Sequence, residues 1–176
     1  MRKEYGKALR SLFTARMKAE LPRFEETRVS SMYFWPGHRA FRWKASEQIH
    51  CWIVLSPSPK DLDEFTLLIG WSTLGRYPEL SMVPCAELPS DSRDEFRFDE
   101  YLTRLPFLWS DRDTWWKVPT PGRPGSMAAL QARPEPVPAD KAREAVAHLV
   151  DDAIERLKAH AIPYLEEFFS SRRSAV

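Results

Sequence analysis

The sequence predicts an α+β domain in which an antiparallel β-meander of about five to seven strands is packed by an N-terminal and a long C-terminal helix. Three observations carry this. Apolar residues recur at helical spacing near both ends of the chain. Between them, short aromatic and β-branched runs alternate with turn residues. No helical segment separates those runs, so neighbouring strands pair antiparallel and a doubly wound parallel sheet is disfavoured.

In chain order, Tyr5, Leu9, Leu12, Phe13 and Met17 form the first helical stripe, over Lys3 to Leu21, and Pro22 ends it. The run RVSSMYFW, the Pro36-Gly37 pair and RAFRWKA then read as a hairpin. IHCWIVL and EFTLLIGWS are apolar enough to be central strands buried on both faces, joined by the turn-rich SPSPKD. After Trp71, three prolines and a Ser/Asp cluster mark a long loop. EFRFDEYL reads as a strand, and LWSDRDTWWKV as two short strands around Asp111-Arg112-Asp113. Residues 119–138 hold six prolines and two glycines, the composition of an extended connector. Asp140 is the expected cap of the final helix, whose apolar side carries Ala142, Val146, Leu149, Val150, Ala153, Ile154 and Leu157, and Pro163 kinks or restarts it.

The 176 residues suit a single domain with its own core. Within it, 1–118 holds the first helix and the meander, 119–138 the connector and 139–170 the C-terminal helix. The 26 basic and 25 acidic residues argue against a protein that coats nucleic acid or an anionic membrane. The balance is uneven: residues 1–28 carry eight basic and four acidic groups, so the first helix either meets an acidic partner or is a solvated face. Two cysteines, Cys51 and Cys85, make neither a disulfide framework nor a zinc site. With no signal-like N-terminus and no apolar run of membrane-spanning length, the expectation is a cytoplasmic protein with reduced thiols, no membrane partner and no cofactor.

Candidate chemistry is sparse. His50 and Cys51 look like a nucleophile and its base, but neighbours on a strand face opposite sides, so the pair cannot cooperate. Ser72 in GWSTLG lacks the spacing of a nucleophile elbow and precedes Arg76-Tyr77-Pro78, which opposes a following helix. Glu144, His148, Asp152 and Glu155 share a helical stripe, but one opposite the apolar side, which makes a poor metal cage. Asp61, Asp63 and Glu64 read as a solvated run. There is no P-loop, G-x-G-x-x-G, H-E-x-x-H or E-x-K nuclease pattern.

What remains is aromatic and arginine content near strand ends: Trp71, Arg76, Tyr77, Trp109, Arg112, Trp115 and Trp116. Trp, Tyr and Arg dominate binding hot spots, so these are the candidate binding residues. Trp115 and Trp116 must face opposite ways on a strand, so only one of them need be core.

The segments GWSTLGRYPEL, DEFRFDEYL and LWSDRDTWWKV, with RKEYGKALR at the start and IPYLEEFF near the end, are similar to those of uncharacterised bacterial proteins of the type called domain of unknown function 4304. The resemblance implies an α+β fold and transfers no catalytic residue. The function expected is therefore binding of a protein partner, as an immunity or accessory protein, without catalysis. The alternatives are a hydrolase or nuclease-like enzyme using His50 or His38 with loop carboxylates and, more weakly, single-stranded nucleic acid binding through stacked Trp and Arg.

Overall fold

The two most apolar runs become the two central strands of one sheet. A computed structural model describes residues 1–31, 34–59, 62–79, 94–119 and 137–174. It contains α1 (Lys3–Glu20), β1 (Glu25–Thr27), β2 (Arg39–Lys44), β3 (His50–Pro57), β4 (Glu64–Ser72), β5 (Glu100–Arg104), β6 (Trp116–Lys117), α2 (Ala139–Arg156) and α3 (Ile162–Ser174). The six strands form an antiparallel sheet in the order β1-β2-β3-β4-β5, with β6 pairing the start of β4 beside β5. Among the described residues no helix is long and apolar enough to cross a membrane.

Alternation along the strands sorts the core into two unequal parts. On one face Phe41, Cys51, Ile53, Leu55, Phe65, Leu67, Ile69 and Trp71 meet the apolar stripes of all three helices. On the other, Ala40, Trp52, Val54, Leu68 and Leu102 form a smaller cluster with Tyr77, packed against Val29 and Phe34. The second face, which carries His50 and Trp52, is thus covered by loop residues among those described. Strands β3 and β4 are buried nearly throughout because both faces are covered.

Three ion pairs join the first helix and the residues just after it to the C-terminal helices. Arg16 pairs with Asp151 at 2.8 Å, Lys158 with Glu20 at 2.9 Å and Arg23 with Glu166 at 2.7 Å. These pairs advance together along both segments, so α1 runs parallel to the C-terminal helices. The N-terminus of α1 is held by Asp63, which accepts hydrogen bonds from the Arg2 backbone N–H (2.8 Å) and the Arg2 guanidinium (2.7 Å). A carboxylate there also faces the positive end of the helix dipole. Asp63 is therefore a structural anchor, where the sequence suggests a solvated run; Asp61 lies outside the described residues.

Other expectations change as well. The described residues of RVSSMYFW form no strand: the hairpin partner of β2 is the polar Glu25–Thr27, and Val29 and Phe34 pack against the second sheet face. Pro36 and Gly37 do form a tight turn, with Gly37 at φ 97° and the His38 N–H bonded to the Trp35 carbonyl at 3.1 Å. In the EFRFDEYL run, Asp94–Arg97 is a 3-10 turn and only Glu100–Arg104 is a strand; in LWSDRDTWWKV only Trp116 and Lys117 are. Asp140 lies in the first turn of α2, with Pro138 at the cap position. Residues 157–161 form a π-helical turn in which the Ile162 N–H bonds the Leu157 carbonyl. This widened turn lets the helix continue past Pro163, which has no N–H to give. Residues 120–136, most of the connector, lie outside the described residues.

One glycine is demanded by strand contact. A Cβ at Gly70 would sit 1.9 Å from the Tyr101 carbonyl oxygen and 2.8 Å from the Leu102 Cα, both backbone atoms of β5. Gly70→Ala must prise β5 from β4, and a loss of about 3 kcal/mol is expected, the upper end for overpacking. Denaturant unfolding measures it; a variant as stable as the parent would refute the close approach.

Candidate functional site

The loop-covered face of the sheet carries two polar rows separated by an apolar band. At one end His38 lies beside Ser56, which pairs in register with Thr66. At the other, Lys44, His50, Ser72 and Glu100 stand in register across β2, β3, β4 and β5. Ser56 lies six residues along β3 from His50, roughly 20 Å of strand. His38 and His50 therefore cannot act on one substrate atom.

The Ser56 hydroxyl and His38 Nε2 are 3.0 Å apart, the geometry of a serine and its base. Two features oppose that role. His38 Nδ1 is buried with no hydrogen-bond partner, so no acid orients the imidazole. Burial also pushes the His38 pKa down to about 4, leaving a weak base at neutral pH. In the other row, Ser72 donates to Glu100 at 3.3 Å and accepts the Leu74 N–H at 3.1 Å, so it closes a turn at the strand end. Glu100 has a side chain 2% exposed and pairs with the Arg76 guanidinium at 2.9 Å. The His50 Nδ1 is buried and unpartnered, and its pKa is lowered by burial and by the neighbouring Arg42 and Lys44.

Cys51 points into the helix-covered core, opposite His50, and burial drives its thiol up to about 12, so it is inert. Cys85 lies outside the described residues. On α2, Asp152 bonds the Trp116 indole and Arg156, and Glu155 bonds Lys158.

The seven candidate binding residues do not form one surface. Trp71 is a correction: it is fully buried, stacked on Phe168 at 4.0 Å and on Tyr101 at 4.9 Å, with its indole N–H on the Phe98 carbonyl at 3.2 Å. Tyr77 is buried too, edge-on to Trp52 and Phe34. Arg76 is exposed but engaged by Glu79 and Glu100. Trp109 packs on His160, with Arg156 over its ring. Trp116 stacks on Phe65 and its indole donates to Asp152 at 2.7 Å. Trp115, just before β6, packs under Arg104, which is in register with Leu68 of the loop-covered face, and donates to Asp113. Arg112 is exposed in the turn before them.

Concavity lies elsewhere, along the edge strand β1. A groove of about 760 Å³ runs beside Glu25–Thr27, between Lys18 and Pro22 at the end of α1 and the Val29 and Phe34 side chains. On the far side of the same 27–31 segment is a pocket of about 190 Å³, floored by Arg42 and Trp52 and walled by residues 75–77. Trp35, in the tight turn next to Phe34, is 59% exposed. Sequence reasoning missed Trp35 because it sat inside a run read as strand; its place beside the Pro36-Gly37 turn was the available signal.

Two outcomes test this sorting. Trp71→Ala should cost about 4 kcal/mol, the range for a buried tryptophan, whereas Trp115→Ala should cost under about 1 kcal/mol; equal losses would contradict the sorting. For His38, folding favours the neutral ring, so between pH 6.5 and about 4 the unfolded chain binds the extra proton. The stability is complete above pH 6.5 and lost as pH falls through that window. His38→Gln should therefore flatten the acid limb of denaturant midpoints measured from pH 7 to 4, and an unchanged slope would refute the burial.

No protein-family model, no curated protein and no solved structure matches this chain.

Proposed function

We propose that the protein is a macromolecule-binding module without catalysis, which takes an extended segment of a protein partner in the groove along β1. The observation that supports this most is Trp35, more than half exposed on a tight turn and next in the chain to Phe34, which lines the groove. A large aromatic held out on a turn is costly to leave in water and is the commonest kind of binding anchor. The groove follows a sheet edge, where an added strand can pair with backbone while alternate side chains fill pockets such as the one beside Phe24, Val29 and Phe34. Its lining carries both signs, Lys18, Arg28 and Arg39 beside Glu25 and Glu26, with Arg39 and Glu26 3.4 Å apart. An immunity or accessory role and a cytoplasmic setting follow from the same reading, the second supported by the buried free thiol of Cys51.

A second reading, a serine hydrolase, is favoured only by the Ser56–His38 contact. Both are tested together. Capture from a lysate of the source cells should recover a partner that is retained by Phe98→Asp, which alters an exposed aromatic away from the groove, and lost by Trp35→Asp. The expected loss is about thirtyfold, the effect of a hot-spot residue. Capture that does not distinguish the two variants sinks the binding groove. Covalent labelling of Ser56 by a fluorophosphonate would establish the hydrolase instead.

A further inference from the structure

We propose that the small pocket between residues 27–31 and 75–79 binds an oxyanion group, a carboxylate or a phosphate, held by Arg42 and the indole N–H of Trp52. Two lining side chains have buried polar atoms with no hydrogen-bond partner: Arg42 Nε and Trp52 Nε1. Trp52 is 2% exposed, so its indole N–H has lost water and gained nothing in return. Both atoms are obligate donors, and both side chains stand opposite each other in the β2–β3 register. Leaving two such donors unmet on adjacent strands is unfavourable, and one acceptor-rich group would satisfy both.

The charge of the site selects the sign of the ligand. Arg28, Arg42 and Arg76 line the pocket against a single lining carboxylate, Glu79, which is 3.2 Å from Arg76. Arg76 is also engaged by the buried Glu100, whereas Arg28 and Arg42 have no ion pair among the described residues. Glu25 faces Arg42 across the β1–β2 pair without forming one. Arg42 instead lies over the Trp52 ring at 5.8 Å, which orients its fork without neutralising it. The size selects a group and not a large molecule. About 190 Å³ is room for roughly six waters, below the usual span of drug-sized sites. A planar guanidinium suits carboxylate and phosphate alike, so the chemistry shared by the two is what the site reads.

This inference does not depend on the partner groove, and its test uses small probes only. Inorganic phosphate and succinate are titrated separately into the full chain by calorimetry at low chloride, with Arg112→Gln as a distant control. Saturable binding of either probe is expected, unchanged in Arg112→Gln and weakened at least about tenfold in Arg42→Gln. Trp52→Phe keeps the ring and removes the donor, and should weaken binding about fivefold or more. A phosphate-only response identifies a phosphate group as the ligand and a succinate-only response a carboxylate. If neither probe saturates, water alone fills the pocket and the proposal fails. It fails equally if Arg42→Gln binds like the control. Should Trp52→Phe not fold, the partly exposed Arg42 variant decides alone.

Discussion

Strand β4 is sealed on both faces and along both edges, and the rest of the molecule is arranged to keep it so. Its odd-numbered side chains, from Phe65 to Trp71, are buried under the helices, and Leu68 lies under the loops. β3 pairs along one edge, while β5 and β6 share the other. Gly70 is the point of closest approach, where β5 backbone occupies the space a Cβ would need. Trp71 then ties the strand to the C-terminus through Phe168 and to the 94–99 segment through Phe96 and the Phe98 carbonyl. A buried tryptophan with its one donor satisfied gains the full hydrophobic benefit with no unmet polar atom. Tyr164, donating to the buried Glu95 at 2.8 Å, closes the same junction.

The two faces of the sheet are therefore under different demands. The helix-covered face is apolar along β3 and β4, from Cys51 to Leu55 and from Phe65 to Trp71, and specifies the fold. The loop-covered face carries every unpartnered buried polar group of β2, β3 and β4: Arg42 Nε, His50 Nδ1, Trp52 Nε1 and Thr66 Oγ1. Such groups weaken a core unless something pairs with them, and a cover made of loops can admit what a helix would exclude. Catalysis fits this face less well than recognition. The two histidines stand at opposite ends of it, and each serine hydroxyl on it already has a local partner.

The parts of the fold that were legible in the sequence are those set by periodicity. The stripe Tyr5, Leu9, Phe13, Met17 and the continuous runs IHCWIVL and EFTLLIGWS each bury what their spacing says they bury. Alternation alone separated His50 from Cys51 and Trp115 from Trp116. The errors arose where composition had two physical causes. Val29 and Phe34 are apolar because they cover the second sheet face, which gave RVSSMYFW the look of a strand. Glu25–Thr27 is a strand only because β2 offers it an edge, and three polar residues carry no local sign of that. Asp63 was read as solvated because its partner, Arg2, is 61 residues away. For the site, Trp71 was misplaced because a tryptophan at a strand end is equally consistent with core and surface.

The near-neutral charge of the chain conceals a division of labour among its arginines. Arg16 and Arg23 pair with Asp151 and Glu166 of the parallel C-terminal helices, and Glu20 takes Lys158 in the opposite sense, so part of the charge of residues 1–28 goes into holding the helical layer together. Such exposed pairs contribute little each to stability, but together they fix the register of two parallel helices. Arg28 and Arg42 make no ion pair among the described residues, and both line the cavity beside residues 27–31. A charge total argues well against coating a polyanion, which needs many cations over a wide surface. It says nothing against recognition of one anionic group, for which two guanidiniums and one indole N–H are sufficient if they are desolvated and held in place. The net charge of +1 and a local anion site are therefore compatible, because a total sums over the whole chain and the site needs only the cations that line it.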